Sequence, residues 1–119
     1  MMYTIRKQFY FSASHQLTGL PADHQCTRLH GHNYVVEVVL QSKELDQVGF
    51  VVDYSHLSTF KTMIDRTVDH RHLNTVFPFN PTAENLAREF YERAKQQWPQ
   101  VVAVLVSETP STWAEYRES

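Results

Sequence analysis

Residues 3–15 read YTIRKQFYFSASH. Tyr3, Ile5, Phe9, Phe11, Ala13 and His15 share one parity, broken only by Lys7. Thr4, Arg6, Gln8, Ser12 and Ser14 share the other, broken only by Tyr10. A period of two over this length predicts a strand with one buried face. Its apolar row closes on a histidine. Residues 32–43, HNYVVEVVLQSK, predict a second strand on which Tyr34, Val36, Val38 and Leu40 share a face. Carrying that parity backwards adds His32 and His30 to the same face.

Beyond these strands lies a loop around 45–49, then a short extended piece, FVV, at 50–52. Asp53 is a plausible N-cap, and Leu57, Phe60 and Ile64 follow at helical spacing. VDHRHLN at 68–74 reads as a polar turn. Thr82 can cap a second helix, with Glu84 placed to meet the positive end of its dipole. Leu86, Phe90 and Ala94 form its stripe, widened by Ala87, Tyr91 and Trp98, and Pro99 stops it. VVAVLV at 101–106 predicts a buried strand, SETPS a turn, and TWAEYRE at 112–118 an edge strand. The expected order is β-β-α-α-β-β. That is an α+β fold, a four-stranded antiparallel sheet with two helices on one face. The opposite sheet face carries valines and aromatics and needs a cover, which points to self-association.

The 119 residues make one domain, 1–119, with room for one core. A net charge of −2 leaves no basic footprint, so neither nucleic acid nor an anionic membrane is an expected partner. The first residues alternate rather than form an apolar block, so no signal peptide is expected, and no stretch approaches a membrane span. One cysteine cannot form an internal disulfide; a reducing, cytoplasmic setting is expected. Of the seven histidines, His24, His56 and His72 are expected to be scattered over the surface.

The other histidines carry chemistry. His30 and His32, at i and i+2 of a strand, reach toward one point. Gly31 between them lets another strand or a ligand approach closely. His15 can supply a third imidazole. Three neutral imidazoles with an open position describe a catalytic zinc site. Three residues, Thr27, Arg28 and Leu29, separate Cys26 from His30. Cys26 is either a fourth ligand that closes a purely structural site, or a free thiol beside the metal that acts as base or nucleophile. Spacing alone leaves both open.

FSASH (11–15), CTRLHGHNY (26–34), FVVDY (50–54), VDHRHLN (68–74), PTAENLA (81–87) and SET (107–109) stand in one order along nearly the whole chain. Together they resemble the 6-pyruvoyl-tetrahydropterin synthase family. The resemblance implies the tunnelling fold, with trimers closing a twelve-stranded barrel and two trimers stacking head to head. The three residues between Cys26 and His30 resemble the branch that forms 6-carboxy-5,6,7,8-tetrahydropterin in the queuosine route; pyruvoyl-forming relatives carry a longer insertion. The implied substrate is 7,8-dihydroneopterin triphosphate, with acetaldehyde and triphosphate as the other products. The same fold making 6-pyruvoyltetrahydropterin or cleaving sepiapterin is the neighbouring alternative. A non-catalytic zinc-bound oligomer with Cys26 as ligand is the alternative of another class.

By the same resemblance the zinc ligands fall on His15, His30 and His32, and the catalytic cysteine on Cys26. The catalytic aspartate–histidine pair falls on Asp69 and His70, and the pterin anchor on Glu108. The pair is expected to act across a subunit boundary, in a homo-oligomer. Two positions depart from the family pattern: Val68 replaces a common leucine, and Ser107 a common lysine. Asp69 and His70 are adjacent, and adjacent residues of an extended chain point opposite ways, so their cooperation requires a bend.

Overall fold

The structure is a computed structural model and describes residues 1–118. Strands β1 (Tyr3–His15) and β2 (His30–Ser42) pair antiparallel along their full length. Their register sets Phe11 opposite Tyr34, Ala13 opposite His32 and His15 opposite His30. The two apolar rows therefore merge into one face, and both end in imidazole at the same end of the ladder. Phe9, Phe11, Ala13, His15, Tyr34, Val36, Val38 and Leu40 are all buried.

Asp53 accepts a hydrogen bond from the Ser55 N–H at 2.9 Å and caps a 3-10 turn, Tyr54–Leu57, that leads into helix α1 (Ser58–Thr67). Leu57, Phe60 and Ile64 are fully buried, as their spacing requires. Strand β3 (Arg71–His72) and a single-turn helix α2 (Leu73–Val76) follow. Thr82 caps helix α3 (Ala83–Gln97), its side chain accepting from the Asn85 N–H at 3.1 Å. Leu86, Ala87, Phe90, Tyr91 and Ala94 bury the α3 stripe against the sheet. Strands β4 (Val101–Thr109) and β5 (Thr112–Arg117) complete the chain. The core centres on Phe60 and Phe90 against the β1–β2 face, and each such side chain contributes roughly 1.5–3 kcal/mol of burial.

Two expectations are corrected. The sheet has five strands in the order β3-β1-β2-β4-β5, not four, and it is mixed, because β3 runs parallel to β1. Among the described residues there are three α-helices, not two. Both additions come from residues 71–76. A two-residue strand and a four-residue helix are too short to carry a hydrophobic period, so nothing local announces them. They exist because the chain after α1 is pinned to the β1 edge: the His70 N–H donates to the Ser12 carbonyl, and Asp69 Oδ1 accepts from the Ser12 N–H at 3.0 Å. The expected extended piece at 50–52 joins no strand; Val51 and Val52 pack against the core from a bent segment. Among the described residues no helix is long and apolar enough to cross a membrane.

Candidate active site

The site begins with two backbone carbonyls. His15 Nδ1 lies 2.9 Å from the Pro81 carbonyl oxygen, and His30 Nδ1 lies 2.7 Å from that of Arg28. A carbonyl only accepts, so each Nδ1 carries its hydrogen and each neutral ring turns an Nε2 lone pair inward. Those two Nε2 atoms stand 2.9 Å apart. His32 Nε2 is buried with no hydrogen-bond partner. The three histidines offer ligand atoms within 4.8 Å of one another, and His15 is fully buried.

Converging lone pairs need something positive between them. A shared proton is disfavoured: burial lowers the pKa of both His15 and His32, and the neighbouring imidazoles push in the same direction. A divalent cation fits. Three imidazoles suit a borderline ion such as zinc, and the Pro81 and Arg28 carbonyls supply the outer hydrogen bonds that orient ligating histidines. Tyr34, buried and stacked on Phe11, brings its hydroxyl to within 3.2 Å of His15 Nδ1. Gly31 earns its place by close approach, since a Cβ there would sit 3.2 Å from the Ala13 carbonyl oxygen.

The histidines form one wall of a cleft of about 410 Å³. Cys26, Glu108, Leu17, Gln25 and Thr109 line the remainder. Cys26 sits in the 3-10 turn Gln25–Thr27, half-buried, and is not one of the donors that gather within 4.8 Å. Its turn is held from both sides: the His24 ring accepts from the Cys26 N–H at 3.0 Å, and the Cys26 carbonyl accepts from the Leu17 N–H at 2.8 Å. His24, expected as scatter, is thus a cap. Glu108 ends the buried β4 row with its side chain 23% exposed and its Oε2 4.0 Å from His32 Nε2. Burial, reinforced by Glu84 and opposed by His30, raises its pKa.

Asp69 and His70 are not in this cleft. Their predicted bend is real: His70 has φ 59°, the left-handed region, and its Nδ1 lies 3.0 Å from Asp69 Oδ2. The Ser12 N–H chiefly, with His70, holds the Asp69 carboxyl below its ordinary pKa. The pair stands at the β1 edge, and His70 lines a second cleft on the outer sheet face, with Ser12, Ser14 and Asn33. His15, His30, Cys26 and Glu108 are on the inner side. One chain therefore brings together five of the seven expected residues and holds the other two on the opposite face.

The spacing argument missed the clamps on the loop between β1 and Cys26. Asn74 accepts from the Gln16 N–H and donates to its carbonyl, both at 2.8 Å. Asn80 does the same to Thr18, both at 3.1 Å. Each amide imitates a neighbouring strand. HLN and FNPT show two asparagines, but nothing local says that they reach back to residues 16–18. Of the two departures from the family pattern, Val68 is fully buried packing, and Ser107 turns its hydroxyl to the Thr109 carbonyl.

Residues 4–119 match the family described as 6-pyruvoyl tetrahydropterin synthase, and the chain belongs to that family. It is 31% identical to a 6-carboxy-5,6,7,8-tetrahydropterin synthase of Bacillus subtilis over 97% of this chain and 85% of that protein. It is 30% identical to one of Haemophilus influenzae over 98% of this chain and all of that protein. The solved 6-pyruvoyl tetrahydropterin synthase of Caenorhabditis elegans superposes with a TM-score of 0.87 at 30% identity, covering 100% of this chain and 97% of that one.

Proposed function

We propose that this protein is a zinc-dependent lyase. It converts 7,8-dihydroneopterin triphosphate and water to 6-carboxy-5,6,7,8-tetrahydropterin, acetaldehyde and triphosphate, in the route to queuosine. The observation that carries the reading is the inner cleft, where a cysteine, a sheltered carboxylate and three convergent imidazoles face one volume. Family membership, and relatives named as 6-carboxytetrahydropterin synthases along nearly the whole chain, support the substrate class. The short Cys26-to-His30 spacing supports the carboxy branch. The electrons balance within the substrate: the dihydropterin ring is reduced while its first side-chain carbon is oxidised to the carboxylate, so no redox cofactor is consumed.

Zinc held by Nε2 of His15, His30 and His32 would supply Lewis acidity for the charge that develops on the substrate's side-chain oxygens. The chain's own residues do the rest. Glu108 accepts two parallel hydrogen bonds, from a ring N–H and the exocyclic amino group of the pterin. Cys26 Sγ, outside the gathered donors, is free to take a proton from the side chain before the carbon–carbon bond breaks. Asp69 holds His70 at Nδ1, leaving Nε2 to exchange a proton with the substrate. Because Asp69 and His70 stand on the far face in their own chain, they serve the inner cleft of a second copy, and an isolated monomer is inactive.

The test is to incubate the purified protein with 7,8-dihydroneopterin triphosphate and identify products by mass. Acetaldehyde should rise in step with the carboxypterin. 6-Pyruvoyltetrahydropterin without acetaldehyde would place the activity with the Caenorhabditis elegans relative instead. No turnover, with a Cys26 that resists iodoacetamide until a chelator is added, would leave a closed structural zinc site.

A further inference from the structure

The outer cleft, about 470 Å³, differs chemically from the inner one. Its polar lining includes Ser12, Ser14, Asn33, His70, Arg71 and His72, and no carboxylate lines it. The inner cleft is the reverse: Glu108 lines it, and no lysine or arginine does. A substrate with a pterin at one end and a triphosphate at the other poses a problem for the inner cleft alone. Its imidazoles turn toward one another rather than toward a bound chain, and Glu108 repels a polyanion where no lysine or arginine side chain offsets it.

The outer cleft keeps an amide and a guanidinium free to donate, because its hydroxyls are spent on orienting their neighbours. Ser12 Oγ donates to Asn33 Oδ1 at 2.7 Å, which leaves the Asn33 amide hydrogens to donate. Ser14 Oγ holds His72 Nδ1 at 3.0 Å. The nearby carboxylate, Asp69, is engaged by the Ser12 N–H and His70. Arg6, Arg88, Arg93 and Arg117 each pair with a glutamate, whereas Arg71 is exposed and has no carboxylate partner among the described residues. Of the other basic candidates, Lys7 lies 5.9 Å over the Phe9 ring, and Arg28 lines neither cleft.

We propose that Arg71 and the Asn33 amide form the triphosphate subsite, with Ser12 orienting Asn33 and Ser14 orienting His72. It acts on substrate whose pterin end lies in the inner cleft of the copy that His70 serves. This rests on the function proposed above. A guanidinium fork beside an amide donor suits a polyphosphate chain.

Calorimetric titration of the metal-loaded protein with inorganic tripolyphosphate tests the subsite directly. Arg71→Gln should weaken binding roughly 10- to 100-fold, while Lys7→Gln and Arg28→Gln leave it unchanged. The KM for dihydroneopterin triphosphate should rise with Arg71→Gln, and affinity for unphosphorylated dihydroneopterin should not move. Unaltered tripolyphosphate binding by Arg71→Gln, or its loss in Arg28→Gln, would overturn the assignment. If the protein binds tripolyphosphate through Arg71 yet turns over no dihydroneopterin triphosphate, the subsite stands and the proposed reaction falls.

Discussion

The two clefts flank the same pair of strands, with His32 bordering both, yet they are built by opposite means. The inner one is built on regular structure. Its histidines sit at the ends of two paired strands, fixed by period-two alternation and oriented by the Pro81 and Arg28 carbonyls. The outer one is open. Its His70 is 82% exposed at the side chain, and the left-handed turn it makes is pinned by two hydrogen bonds between residues 69–70 and Ser12. The difference teaches where each half of the chemistry belongs. The inner cleft gathers its donors from two paired strands of one chain, whereas the outer one presents a residue in a strained conformation to solvent.

The sharpest way to break this comparison is Cys26→Ala. If the inner cleft separates metal holding from proton transfer, the variant keeps its zinc by elemental analysis and its oligomer by light scattering. Turnover should fall by roughly 10²–10⁴-fold. His32→Ala should do the reverse at the first step and lose the metal. Zinc loss from Cys26→Ala would make the thiol a ligand and collapse the distinction.

Glu108→Gln asks whether the inner cleft alone reads the pterin. The amide would turn a donor toward a ring N–H, so affinity for a pterin product should drop by roughly 10- to 100-fold while metal content holds. Equal affinity by fluorescence titration would remove Glu108 from recognition.

His70→Gly addresses the outer cleft. Glycine adopts φ 59° without the Cβ clash that costs other residues about 1–2 kcal/mol, partly offset by greater freedom of the unfolded chain. The variant should be inactive yet up to about 1 kcal/mol more stable in urea melts. A destabilised variant would mean that the His70 side chain holds the fold rather than storing strain.

The smallest effect is on acid stability. The pKa of Asp69 is lower in the folded protein than its ordinary 3.8, so the unfolded chain binds more protons in that window. Its contribution is therefore complete above that ordinary value and is lost as pH falls through the folded one. Asp69→Asn should flatten the pH dependence of unfolding below about pH 4, leave the slope near neutrality unchanged, and lower the stability plateau there slightly. An unchanged acid limb would show that the Ser12 contact does not depend on the carboxylate's charge.

Much of this was legible beforehand. Alternation in residues 3–15 and 32–40 determined two strands, their buried face, and the histidines that end it. Helical spacing at Leu57, Phe60 and Ile64 and at Leu86, Phe90 and Ala94 determined two helices, the second capped by Thr82, while Asp53 caps the 3-10 turn that leads into the first. These are local regularities: a side chain's direction follows from its parity or its turn, whatever lies elsewhere. The tertiary structure alone decided the fifth strand, the one-turn helix, the asparagine clamps on residues 16–18, and the cap that His24 makes for the Cys26 turn. It also decided that Asp69 and His70 stand on the face opposite their own chain's cleft. Each of these depends on contacts between segments distant in sequence, such as Ser12 with residues 69–70, 57 or more positions apart. No local pattern encodes which edge a returning chain will meet, because that choice is made by the packing of the whole core.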